Sequence, residues 1–183
     1  MELYLIRHPR PEVLPGTCYG QTDLGLAESP LAVAERIRPL LPGAYALYAS
    51  PLRRARLLAE ALGCPEVDPR LMEIHFGEWE GRSFDEIGQA ALDAWSAAPL
   101  DFAPPGGESP RQMATRALDF LACLREANPP AAVVVAHGGP LRALAGWLLG
   151  LPPEHWLGLD FACGEVTRLD LHDWGTVLRW FNR

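Results

Sequence analysis

The chain has 183 residues, 49% of them hydrophobic, and a formal charge of −7; at roughly 100–200 residues per domain this fits one well-covered core, so 1–183 is read as a single domain. The acidic balance argues against nucleic-acid partners and anionic membrane surfaces, both of which need extended basic surface. All 16 basic residues are arginine, which excludes a P-loop lysine, Schiff-base chemistry and lysine-assisted aspartyl phosphatases.

In chain order, Leu3 to Ile6 is an apolar run without polar alternation, the pattern of a strand buried on both faces in a parallel sheet. It closes on Arg7 and His8. A loop rich in turn formers follows from Pro9 to Pro30, long enough to carry binding residues, with Tyr19, Gln21 and Thr22 as its polar candidates. A helix is predicted over about Leu31–Leu41, ended by Pro42 and Gly43. Tyr45–Ala49 reads as a second buried strand, and Ser50-Pro51 as an N-cap with proline at the first helical position. The helix that begins there carries Arg53, Arg54 and Arg56 in its first turns, against the macrodipole, so at least one of them is expected to meet an anion.

Leu71 to Gly81 lacks clean periodicity and reads as a loop bearing Glu73, His75, Glu78, Trp79 and Glu80. Ser83–Ala97 is predicted as a helix, and Ser109, Pro110 and Gln112 form a capping box opening another, which ends near Asn128-Pro129. Ala132–Ala136 is a further buried strand closing on His137, Gly138 and Gly139, followed by a helix from Pro140 to about Leu149. Val166–Leu171 and Val177–Phe181 flank a turn and predict a hairpin.

Arg7-His8 and His137 each end a buried strand. Open α/β sheets bind ligands at the carboxyl ends of their strands, so two imidazoles and a guanidinium delivered to that edge predict a pocket for an anion, a phosphate group. Cys18, Cys64, Cys123 and Cys163 show no C-x-x-C pairing and read as reduced thiols rather than a zinc site. The absence of a basic leader and of a membrane-length apolar segment leads to the expectation of a cytoplasmic protein without membrane contact. Cys64 and Arg70 have the C-x5-R spacing of cysteine phosphatases, but Glu66 and Asp68 between them would repel phosphate. Asp170 and His172 lack the partner residues of a metal site.

The ordered motifs Leu5-Ile6-Arg7-His8, Ser50-Pro51-Leu52-Arg53-Arg54-Ala55-Arg56, Leu71 to Gly81, Pro105-Gly106-Gly107-Glu108-Ser109 and Val135-Ala136-His137-Gly138-Gly139 resemble the histidine phosphatase superfamily, which includes the phosphoglycerate mutases. The resemblance implies an α/β fold, a three-layer α/β/α sandwich with a mainly parallel sheet. It implies His8 as nucleophile, Arg7, Arg54 and His137 around the phosphate, and Glu73 as the general acid. An imidazole can attack phosphorus to give a phosphoramidate that water later cleaves. Arginine suits a phosphate because its planar fork matches two oxygens and never loses its charge. Arg10, Tyr19, Gln21, Thr22 and Gly138 are candidate substrate contacts. Glu78 and Glu80 are expected to tune Glu73, and Glu108 to cap or anchor. Trp79, Trp95 and Trp147 are expected in core or lid packing.

Where the family's pattern has glycine, then threonine or serine, then asparagine, this chain has Pro9, Pro11 and Leu14, which lack those donors; Arg10 is the expected replacement. The resemblance implies a metal- and cofactor-independent phosphomonoesterase on a small-molecule phosphate, as monomer or homodimer. The segment Cys18 to Leu24 is similar to the α-ribazole phosphatase branch, which acts on a cobalamin precursor. A broad-specificity phosphatase or a phosphoglycerate mutase stays open, as does a phosphate-binding protein of weak activity. No further arginine cluster is assigned to a second anionic group, which favours hydrolysis over mutase chemistry.

Overall fold

The computed structural model describes residues 1–183. Its first half contains β1 (Glu2–Arg7), α1 (Pro30–Ile37), β2 (Ala46–Ala49), α2 (Arg53–Leu62), β3 (Glu66–Val67), α3 (Phe84–Ile87) and α4 (Gln89–Ala97). The second half contains α5 (Pro110–Ala127), β4 (Ala131–Ala136), α6 (Gly138–Leu148), β5 (Val166–His172) and β6 (Gly175–Trp180). The strands form one sheet in the order β3-β2-β4-β1-β5-β6. Pairings among β1 to β4 are parallel, and the β5–β6 hairpin joins β1 antiparallel.

Burial on both faces of β1 and β4 explains their unbroken apolar sequence. Leu3 and Leu5 of β1, with Ala132, Val134 and Ala136 of β4, pack against Phe120 and Leu121 of α5 and Leu141 and Leu144 of α6. The intervening Tyr4, Ile6, Val133 and Val135 face Val33 and Ile37 of α1 and Ala55 and Leu58 of α2. Period-two side-chain direction thus turns two short runs into the middle layer of an α/β/α sandwich. No helix is long and apolar enough to cross a membrane.

Several predicted boundaries move. Ser50 is not a cap: the N-cap of α2 is Leu52, which makes no side-chain capping bond. The helix expected over 83–97 is two helices, because Gly88 sits at φ +85° between them, a conformation in which helix cannot continue. α6 starts at Gly138 rather than Pro140, which makes His137 its N-cap. The helix expected from Leu31 ends at Ile37 and tightens into a 3-10 turn over Arg38–Leu40. Trp79 is buried against Trp95 and Phe102, but Trp147 is exposed under Arg125 rather than packed in the core.

The capping box at α5 is present, with Ser109 Oγ accepting from Gln112 N at 3.2 Å and Gln112 Oε1 accepting from Ser109 N at 2.8 Å. Ser109→Ala leaves both termini of that exchange weakened and is expected to cost about 1 kcal/mol of unfolding free energy, read as a lower urea midpoint with unchanged m-value.

Candidate active site

The parallel register sets Arg7 opposite Ala136, so the next residues, His8 and His137, leave the sheet side by side. Their ring centroids are 5.0 Å apart and both are essentially inaccessible. His8 Nδ1 lies 2.7 Å from the Pro9 carbonyl, which can only accept, so Nδ1 carries the proton. The lone pair is then on Nε2, where Arg54 Nε donates at 3.3 Å. Burial, and after it the charge of Arg54, pushes the His8 imidazole down to about 3. His137 Nε2 is 2.7 Å from Ser50 Oγ, and its Nδ1 is buried without a partner. Burial, then His8 and Arg54, holds His137 well below the ordinary histidine range. Both rings are neutral bases beside cations.

The cations are held by backbone carbonyls. Fully buried Arg54 donates to Thr22 O at 2.9 Å and Gly20 O at 2.5 Å. Arg7 Nη1 donates to Phe161 O at 2.7 Å, and its buried Nε has no partner. Phe161 ends a three-residue strap whose successive carbonyls each take a side-chain N–H: Leu159 O from Arg142 Nε at 2.9 Å, Asp160 O from Asn182 Nδ2 at 2.6 Å, then Phe161 O from Arg7. Asn182 adopts φ +52° and also accepts from Ala162 N. The unpartnered Arg7 Nε and His137 Nδ1 are the two buried polar atoms of this cluster left for a ligand, and such atoms call for an explanation.

Glu73 approaches from the loop after β3. Its carboxylate accepts from Gly139 N at 3.1 and 3.2 Å and from Ile74 N at 2.9 Å, docking it on the first turn of α6. A Cβ on Gly139 would lie 2.2 Å from Glu73 Oε1, so only glycine admits this approach. The loop is braced behind by Arg116, which donates to the carbonyls of Arg70, Met72 and Glu73 and pairs with Glu108; Glu108 in turn accepts from His75 N at 3.0 Å. The anchoring expected of Glu108 is present, while capping belongs to Ser109 and Gln112.

Other candidates fall at different depths. Tyr19 covers Arg54, whose Cζ is 5.6 Å from the ring centroid. Gln21 Nε2 donates to Glu73 O at 3.0 Å, and the Thr22 hydroxyl donates to Glu80, so both side chains tie the loop rather than face a ligand. Glu80 also accepts from the backbone of Gln21, Thr22 and Phe76. Burial raises its pKa, but these bonds outweigh that and hold it below the usual range; it is a loop anchor, and Glu78 is exposed. Arg10 is exposed, and Gly138 begins α6 beside Arg7.

Two contributors escaped the sequence reading. Ser50 positions His137, although its place before proline imitates a helix cap. Arg142 stands beside Arg7, and its spacing of four from Gly138 is the signal that could have found it. The set-aside pairs are structural: Arg70 is bound to Asp68 and Cys123, and Asp170 to Arg168 and Arg179.

Residues 3–183 match the family model of the histidine phosphatase superfamily, branch 1. The chain is 37% identical over 177 residues to the glucosyl-3-phosphoglycerate phosphatase of Mycolicibacterium vanbaalenii, covering 84% of this chain and 76% of that protein. It is 34% identical over 164 residues to a metal-independent phosphoserine phosphatase of Arabidopsis thaliana, covering 78% of this chain and 66% of that one. The α-ribazole phosphatase of Shigella flexneri superposes with a TM-score of 0.89 at 26% identity, over 100% of this chain and 96% of that one.

The depressed His8 and His137 set a pH dependence of stability. Each binds a proton more readily unfolded than folded, so its contribution is complete above about pH 6.5 and is lost as pH falls toward the folded value, about 3 for His8. Between pH 7 and 5, where carboxylates stay ionised, urea unfolding is expected to show stability falling by up to about 1.4 kcal/mol per pH unit per histidine. His8→Gln should remove its share of that slope.

Proposed function

From the membership of this chain in branch 1 of the histidine phosphatase superfamily, which makes it a phosphomonoesterase, we propose that it works through a phosphohistidine on His8, without metal or other cofactor. The observation that carries this reading is the His8 tautomer: the Pro9 carbonyl fixes the proton on Nδ1 and leaves the Nε2 lone pair among cations. A phosphoryl group drawn to the orphaned Arg7 Nε and His137 Nδ1 meets that lone pair.

In the first step Nε2 bonds to phosphorus as the bond from phosphorus to the alcohol oxygen breaks, and protonated Glu73 gives that oxygen its proton. In the second step water attacks phosphorus, Glu73 takes a proton from it, and the bond to Nε2 breaks to release phosphate. Charge develops on the equatorial oxygens, where Arg7, Arg54, His137 and the N–H of Gly138 at the start of α6 supply fixed donors. Ser50, by hydrogen bonding Nε2 of His137, frees that ring's Nδ1 for the phosphoryl group. Tyr19, whose ring Arg54 lies over, and exposed Arg10 are the residues we assign to the alcohol.

The substrate we propose is a small-molecule phosphate ester. The resemblance of Cys18 to Leu24 and the whole-chain likeness to an α-ribazole phosphatase support α-ribazole 5′-phosphate. A second reading, a phosphorylated hydroxy acid, is favoured by the arginine beside Arg7, and is in keeping with the names of the sequence relatives.

Acid quench of a reaction with labelled p-nitrophenyl phosphate is expected to trap a phosphoenzyme that is labile in acid, stable in base and absent in His8→Ala. Full turnover by His8→Ala overturns the route. For the proton donor, Glu73→Gln should slow phosphorylation about 10²–10⁴-fold on ribose 5-phosphate, whose alkoxide needs a proton, and far less on p-nitrophenyl phosphate. Rapid-quench rates on the two substrates give the comparison, and equal losses would assign Glu73 to positioning.

A further inference from the structure

The two helices between the Glu73 loop and α5 add nothing to the core: α3 and α4 bury none of their residues. A cavity of about 170 Å³ lies against them. One wall is the segment Thr17 to Tyr19, and the rest is aromatic, with Phe76 and Trp79 from the loop, Phe84 from α3 and Trp95 from α4. Trp79 and Trp95 meet edge to face with ring centroids 6.3 Å apart. Phe84 is 40% exposed, so the cavity reaches the surface at α3.

No carboxylate, guanidinium or imidazole lines the space. Its one thiol, Cys18, is buried, and burial followed by the charge of Glu80 pushes it up to about 11, which keeps it uncharged. An ion finds no partner there. An apolar cavity of about 150 Å³ is large enough to take up benzene, and aromatic walls favour an aromatic guest through edge-to-face and offset contacts. Size and lining together select a neutral compound of one or two fused aromatic rings.

The cavity is separate from the phosphoryl pocket. His8, Arg54, Glu73 and His137 do not line it, and Tyr19 is the wall between the two spaces. Arg54 lies against that ring, 5.6 Å from its centroid, and is held by the carbonyls of Gly20 and Thr22 just beyond it. Phe76 presses on the same segment, because a Cβ on Gly20 would lie 2.9 Å from Phe76 Cδ2. The wall is also tied to the helices: Cys18 N donates to Arg82 O at 2.8 Å, Gly81 N to Cys18 O at 2.8 Å and Phe84 N to Gly16 O at 3.0 Å. A guest packed against Thr17 to Tyr19 therefore restricts the segment that aims Arg54.

We propose that this cavity is a regulatory site for a neutral aromatic compound, whose binding steadies Tyr19 and Gly20 and thereby tightens the hold of Arg54 on phosphate. Occupation of the cavity is independent of the phosphohistidine route, and its effect on phosphate rests on the reading of Arg54 as a phosphate ligand.

Titration calorimetry of the full chain with indole as the probe is expected to show binding at one site with a negative heat-capacity change, the mark of apolar burial. Inorganic phosphate and ribose 5-phosphate, which carry no aromatic ring, report on the other pocket. Indole should lower the KM for ribose 5-phosphate and the inhibition constant of phosphate about fivefold, the lower end of coupling between sites. Saturating phosphate should then tighten indole by the same factor. Phe84→Ala should weaken indole about tenfold or more, as one wall of aromatic contact is lost, and abolish the effect on phosphate. Without indole its kcat/KM should stay within about threefold of the parent value, since Phe84 is partly exposed and outside the phosphate site. Phe84→Leu, which keeps an apolar wall, should retain part of the binding. Competition between indole and phosphate, or a raised KM, would make the cavity an arm of the substrate pocket and overturn the proposal. Absence of binding, binding untouched by Phe84→Ala, or binding without a change in phosphate affinity would overturn it equally. Inhibition by phosphate in the absence of indole is the control for the phosphate site, so failure of that reading shows separately from failure of the coupling.

Discussion

Guanidinium groups held by backbone carbonyls, instead of by carboxylates, are the interaction on which this site depends. Arg54 leans on Gly20 and Thr22, and Arg7 on Phe161. A carbonyl dipole fixes the direction of an N–H without cancelling its charge, so an acidic chain of net charge −7 keeps a concentrated positive field at one sheet edge. Burial, and after it the same field, keeps both imidazoles unprotonated. A carboxylate at either arginine would have stabilised the empty protein and closed the site to phosphate.

The fold was legible where residues act through periodicity. Leu3–Ile6 and Ala132–Ala136 lack alternation because both of their faces are covered, and the capping box at Ser109 is local chemistry that tertiary contacts left alone. The central histidines were legible for a related reason: a parallel strand must end at the ligand edge. What remained hidden depends on contacts across the chain. Ser50 before Pro51 imitates a cap, and its real partner, His137, is 87 residues away. Gln21 and Thr22 look like free polar groups until Glu80 is brought against them. Arg142 belongs to an amphipathic helix in the sequence, and Gly138 and the strap turn it toward Arg7.

The proline at position 9 shows how a lost donor can coexist with an ordered nucleophile. Proline removes an N–H, but its carbonyl is intact and fixes the His8 ring through Nδ1. The residue that weakens the backbone cradle is the one that sets the tautomer. Exposed Arg10 makes no such contribution to the ring.

The strap from Leu159 to Phe161 makes the grip of the site depend on a residue outside it. Asn182 holds the strap by donating to Asp160 O and accepting from Ala162 N, and the strap holds Arg7 and Arg142. Loosening Asn182 would therefore slacken both guanidiniums while leaving both histidines at the ends of their strands.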